Sequence, residues 1–374
     1  MAHKHRIAPP RCLFMMRVSL LLLTALSATA APPLILLGYF DNWSPAYTIA
    51  DLEKSGAASH LTHLAYAFAN IRSGACAMAD PKTDSANFTA LSALRKRHPR
   101  LKILISIGGS NPANTAAFAA AAKSKEGRAK LAASCISLFL QPKSPFDGID
   151  LDWEFPAASD KSNFTELIAE FRTQLHATGR QVLLTIAAPA GKQNYSQMEL
   201  GKVAAQVDFL NLMTYDYSGN WSKQTGHAAP LSSVAATVKD YRDAGVAASK
   251  IVLGIPLFGH GWTGVPNINH GLFQQSTKPA PSPRGDILES AGNASFRALN
   301  RLGGFSSFYD KDSQAHWIYS TRTGTFWSFD DQRVVLEKVR YLKAQGLAGA
   351  MVWELKDDAP AASLVAAIAL AFRR

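Results

Sequence analysis

Three carboxyl side chains at alternate positions, Asp150, Asp152 and Glu154, mark the segment Asp147-Gly-Ile-Asp-Leu-Asp-Trp-Glu-Phe-Pro156. In an extended strand they share one face with Gly148, while Ile149, Leu151 and Trp153 point the other way. Same-face neighbours lie roughly 6.5 to 7 Å apart along a strand. With no nearby cation, such crowding disfavours full ionisation, so at least one group keeps a proton near neutrality. A retained proton is what a general acid delivers to a leaving oxygen. Glu154 has the longest reach and lies nearest the strand's C-terminal end, where Pro156 stops the strand. The competing reading is that these acids bind a cation or cap neighbouring elements. Burying three acids on an apolar strand is costly unless chemistry or a metal demands it, and no loop supplies the further oxygen ligands that Mg²⁺ or Ca²⁺ wants. Asp147 has the opposite parity and suits a supporting hydrogen bond.

The elements that must position these acids can be read from periodicity. Short apolar or β-branched runs recur at 34–40, 61–70, 101–107, 146–154, 181–187, 207–215, 250–257 and 348–353. Amphipathic stretches such as 163–178 and 234–244 lie between them, which predicts parallel strands with crossover helices. Eight units predict a closed (β/α)8 TIM barrel of the α/β class rather than an open doubly wound sheet. The interval from 257 to 348 is far too long for one βα loop and a helix. It predicts a small α+β insertion between strands 7 and 8, at about 260–326, with strands at 315–319 and 324–329 and a turn between them. A helix pattern at 361–372 ends the chain.

The run DGIDLDWEFP resembles the DxxDxDxE signature of family 18 glycoside hydrolases, the chitinase family. Ser106-Ile-Gly-Gly109 is similar to that family's SxGG motif, Met213-Thr-Tyr-Asp216 to MxYD, Gly254-Ile-Pro-Leu-Phe-Gly259 to its seventh strand, and Ala350-Met-Val-Trp-Glu354 to its eighth. The likeness runs over about residues 34–372. It implies Glu154 as acid and then base, Asp152 as the group orienting the substrate's N-acetyl, and Asp150 as its electrostatic partner. It further implies Tyr215 and Asp216 as the holders of the acetamide and Trp353 as the floor beneath the sugar. The nucleophile would then be the substrate's own acetamide oxygen, in an exception to the usual enzyme carboxylate. Tyr39, Phe68, Gly108, Gly109, Trp153, Met213 and Trp221 complete the expected substrate-binding set. Phe258 and His260 depart from the tyrosine and arginine of the GxPxYGR pattern, and Phe155 from a common tyrosine, which touches subsite contacts rather than proton transfer.

The implied partner is chitin or another N-acetylglucosamine-containing glycan. Two enzymatic alternatives share the constellation, an endo-β-N-acetylglucosaminidase on N-glycans and one on peptidoglycan. A non-catalytic chitin-binding lectin is a different class, and retention of Glu154 argues against it. Trp43, Trp221 and Trp262 are candidate sugar platforms, because aromatic faces suit pyranose rings, while Trp317 and Trp327 read as insert core. Gly259-His-Gly-Trp-Thr-Gly264 matches GxGxxG but no apolar helix follows, so a dinucleotide site is rejected. No cofactor is expected. His227 and His260 stand alone and read as ordinary loop residues.

The chain carries 39 basic and 28 acidic residues, a formal charge of +11. Basic residues precede an apolar run, 18–26, and Ala28-Thr-Ala30, which is the plan of a signal peptide over residues 1–30 with cleavage after Ala30. Met15 or Met16 would serve as a start as well. Loss of Lys4, Arg6, Arg11 and Arg17 leaves +7 on a mature catalytic chain of 31–374. The charge forms no basic block of the nucleic-acid type, and no later run is long enough to span a membrane, so neither partner is expected, and a monomer suffices. Cys76 and Cys135 remain after the leader and could form one bridge. No CxxC or HExxH pattern argues for zinc.

Overall fold

The barrel strands form at the short apolar and β-branched runs, and each buries two different faces. The computed structural model describes residues 33–276, 278–288 and 290–374, together with 1–3 and 5; the expected leader therefore lies almost wholly outside the described residues. Eight parallel strands run in chain order: β1 (Ile35–Asp41), β2 (His63–Arg72), β3 (Lys102–Gly109), β4 (Gly148–Trp153), β5 (Leu183–Pro189), β6 (Phe209–Met213), β7 (Ile251–Pro256) and β8 (Gly349–Trp353). Each pairs with the next, and β8 returns to β1 with Ile35 beside Gly349. The sheet is a closed (β/α)8 barrel.

One face of each strand meets the surrounding helices. Leu36, Phe40, Leu64, Tyr66, Ile103, Ile105, Ile149 and Leu151 belong to this outer core together with Phe164, Leu167, Ile168, Phe171 and Leu175 of the helix Lys161–Ala177. The opposite face supplies a second cluster of Leu37, Tyr39, Ala65, Ala67, Leu104, Phe209, Val252 and Met351. A strand buried on both sides reads as a nearly continuous apolar run. A polar residue on the inner face is therefore conspicuous.

Between β7 and β8 the chain builds a second, antiparallel sheet. Its central strand, Phe258–Thr263, pairs with Thr325–Phe329, Lys278–Pro279 and Asn293–Ser295, and Ala315–Ser320 and Ser306–Asp310 extend it. Trp262, Trp317, Tyr319 and Phe326 fill its own small core. The strand at 258–263 follows β7 almost without a break and escaped the periodicity, because Gly259-His-Gly261 interrupts the apolar pattern.

A disulfide joins Cys76, on a short strand (Ala75–Ala77) added to β2, to Cys135 on the helix Lys125–Phe139. At the closed end of the barrel, Asp147 accepts from Arg95 Nη2 at 2.6 Å and from the Ile103 backbone N–H at 3.0 Å, the supporting role its parity suggests.

Candidate active site

The inner face of β4 carries a column of acids whose surroundings change along the strand. Asp150 lies deepest and is fully buried. Its Oδ2 accepts from Tyr39 Oη at 2.9 Å and Ser106 Oγ at 2.8 Å; its Oδ1 accepts from Thr185 Oγ1 at 2.6 Å and Asn211 Nδ2 at 3.2 Å. These donors come from β1, β3, β5 and β6, so one carboxyl cross-links four other strands from the barrel's centre. Burial raises its pKa, and the four hydrogen bonds oppose that rise.

Asp152 is the next acid up, buried, and its Oδ1 has no hydrogen-bond partner among the described residues. Burial pushes its pKa well up, and the charges of Glu154 and Asp150 push it further. Glu154 follows immediately after the strand's last residue. Burial, then the charge of Asp216, pushes it up to about 7. A carboxyl poised there holds its proton through weakly acidic conditions and can surrender it near neutrality.

Tyr215 and Asp216 follow β6. Tyr215 is buried against Phe258, ring centroids 5.9 Å apart, and burial with the surrounding carboxylates keeps its hydroxyl protonated well above the usual range. Asp216 adopts a left-handed backbone (φ 63°), and its Oδ1 accepts from His260 Nε2 at 2.8 Å. Met213, the last residue of β6, packs with the inner cluster beside Tyr215.

Aromatic rings wall the mouth. Trp353 lies 5.3 Å from Tyr39 and 5.7 Å from Phe68, the latter nearly parallel at 23°. Trp43 continues the row, stacked on Phe68 at 5.9 Å and 13°, with 52% of its surface exposed. Gly109, in the left-handed region, makes room for this wall, because a Cβ there would come within 2.6 Å of the Phe68 ring. Gly108 admits β4 itself: a Cβ would stand 2.1 Å from the Asp152 carbonyl oxygen. On the other side Trp221 is 60% exposed and leans edge-on against His260 at 5.0 Å.

The structure thus brings together Glu154, Asp152, Asp150, Tyr39, Phe68, Gly108, Gly109, Met213, Tyr215, Asp216 and Trp353, with Trp43 and Trp221 at the rim. Trp153 stands apart. It points outward, stacked on Phe118 at 5.4 Å and edge-on to Phe164, as strand parity requires, so its place among substrate-binding residues is corrected to the outer core. Trp262 is buried beneath the second sheet and offers no platform. His260 is not a lone loop histidine, since it holds Asp216. Thr185 and Asn211 were overlooked as well, although each is a single polar residue on the inner face of an apolar strand. Among the described residues no group of three or more His, Cys, Asp or Glu side chains could hold a metal ion.

Comparison with known proteins agrees with this geometry. The family model for glycosyl hydrolases family 18 matches residues 35–358. Chitinase A1 of Niallia circulans is 30% identical over 446 aligned positions, which cover 95% of this chain and 62% of the relative. The chain thus spans under two thirds of that relative's length. Among solved structures, chitinase ChiA74 from Bacillus thuringiensis superposes with a TM-score of 0.81 at 26% identity, over 91% of this chain and 70% of that one. Human YKL-39, described as a pseudo-chitinase with retained chitooligosaccharide binding properties, superposes with a TM-score of 0.82 at 28% identity, over 91% and 100%. On the extent of the family match, supported by barrel and acid column alike, this chain belongs to glycosyl hydrolases family 18.

Proposed function

We propose that the protein is an exported, retaining hydrolase of β-1,4-linked N-acetylglucosamine polymers, chitin and chito-oligosaccharides, working by substrate-assisted catalysis. The observation that carries this reading is the acid column of β4. It is anchored at Asp150, open at Asp152, and ends in a carboxyl pushed up to about 7 at Glu154.

Glu154 protonates the glycosidic oxygen as its bond to the anomeric carbon breaks. The acetamide oxygen of the same sugar attacks that carbon from the opposite face, and an oxazolinium ion forms. The tethered amide has a high effective molarity, which replaces a second enzyme carboxylate. Asp152, with an oxygen unclaimed by the protein, accepts the acetamide N–H as positive charge develops there. Tyr215 donates its hydroxyl to the acetamide oxygen, and Asp216 flanks it. Trp353 stacks under the ring. The Glu154 carboxylate then takes a proton from water as that water opens the oxazolinium, and two inversions give net retention.

Export is supported by the leader pattern and by the Cys76–Cys135 disulfide, which suits an oxidising compartment. Residues 1–30 as the leader and 31–374 as one catalytic domain, with the sheet after β7 deepening the cleft, form part of the same proposal. N-glycan or peptidoglycan cleavage uses the same chemistry, and parallel product analysis on the three substrates separates them. The fold match to a pseudo-chitinase keeps a sugar-binding, non-hydrolysing reading in view. Turnover of chito-oligosaccharides by the wild-type protein decides between them, and Glu154→Gln then assigns it: hydrolysis is lost while binding persists. Turnover at the wild-type rate in that variant refutes the assignment.

A further inference from the structure

Behind the aromatic wall lies a buried charge cluster separate from the acid column of β4. Lys356 is almost wholly buried, and its Nζ donates to Asp41 Oδ2 at 2.9 Å and Ser44 Oγ at 2.9 Å and pairs with Glu354 Oε1 at 2.7 Å. Those three partners use all three protons of the ammonium. Asp41 is the last residue of β1, and Glu354 follows the last residue of β8. The lysine therefore clamps the seam where the barrel closes.

Each partner is also a close chain neighbour of a wall ring. Asp41 and Ser44 flank Trp43, and Glu354 adjoins Trp353. The ammonium itself sits 5.2 Å over the Trp43 ring, within cation–π range. Leu355 seats the turn that carries Lys356 directly against β1, since a Cβ on Gly38 would come within 2.7 Å of it. Trp43 has half its surface exposed and stacks on Phe68. Its ring centroid lies 6.4 Å from that of Trp353, with the two planes tilted by 35°.

We propose that Lys356 is a positioning residue for glycan chain length: by holding Asp41, Ser44 and Glu354 together it sets Trp43 in line with Trp353, so that sugars beyond the one over Trp353 find a preformed platform. This rests on the reading of the wall as a glycan-binding surface. A ligand short enough to occupy Trp353 alone gains nothing from the clamp, whereas a longer one does.

The test measures calorimetric binding of the N-acetylglucosamine disaccharide and hexasaccharide in a Glu154→Gln background, where turnover does not intervene. Four proteins are compared: the background, Lys356→Met, Trp43→Ala and the pair. Loss of one aligned stacking contact weakens the hexasaccharide about five-fold, in either single variant, with the disaccharide moved less than about two-fold. The pair is no weaker than Trp43→Ala, because the lysine acts through that ring. Additive losses in the pair, or equal losses for both ligands, overturn the positioning role while the wall reading stands. No effect from Trp43→Ala overturns both. Absence of any hexasaccharide binding by the background refutes the glycan-binding reading itself. Should Lys356→Met fail to fold, Ser44→Ala removes one acceptor without stranding a charge and must show the same chain-length pattern, or the inference fails.

Discussion

Replacing Glu154 by glutamine makes a prediction about stability that is independent of any substrate. Burial and Asp216 hold this carboxyl at about 7, against a usual value of 4.5. A raised pKa means that the folded chain binds the proton more tightly than the unfolded one. The unfolded state therefore carries fewer protons between those two values, and stability falls as pH rises from 4.5 to 7. At about 1.4 kcal/mol per unit, the full loss is ~3 kcal/mol, and contact of the carboxyl with solvent at the mouth reduces it. Glutamine has nearly the same shape and no charge to bury. Denaturant unfolding at pH 4 and pH 8 should show the variant equal to wild type at the lower pH and more stable by about 2 kcal/mol at the higher. The same proton sets the rate, so wild-type hydrolysis should decline as pH rises through about 7. A variant that gains nothing at pH 8, together with a wild-type rate flat across that range, would refute the idea that this site holds a proton by burial and crowding.

Other consequences follow from the surrounding structure. Asp150→Ala strands Tyr39, Ser106, Thr185 and Asn211 as buried donors and should destabilise the barrel by on the order of 4 kcal/mol in denaturant unfolding, with Asp150→Asn costing less. Cys76→Ser opens a loop of 59 residues and should lower stability by about 4 kcal/mol on the chain-entropy model, seen as a lower melting temperature with the active protein's pH profile unaltered. Gly108→Ala places a methyl against the Asp152 carbonyl and should cut hydrolysis far more than it cuts sugar binding at Trp221.

Strand positions were legible because a barrel strand buries both faces, and so stands out as a dense apolar run of fixed length. The run at 348–353 corresponds to Gly349–Trp353 and that at 250–257 to Ile251–Pro256. The acid column was legible because parity alone puts Asp150, Asp152 and Glu154 on one side. Parity also put Trp153 on the other side, and the structure follows parity rather than the assignment that set it aside. What periodicity could not show are contacts between loop ends. Lys356 meets Asp41 across 315 positions of chain, and His260 meets Asp216 from a strand hidden by its glycines. Such pairs depend on how strand ends converge at the mouth, which local pattern does not encode.

In the proposed mechanism the sugar's own amide performs the attack. The measurement that reaches it most directly compares hydrolysis of an N-acetylglucosamine oligomer with that of the same oligomer lacking the N-acetyl group on the ring to be cleaved. Substrate assistance requires turnover of the first, with the β configuration retained in the initial product, and none of the second. Comparable rates on both, or an α anomer released first, would contradict it.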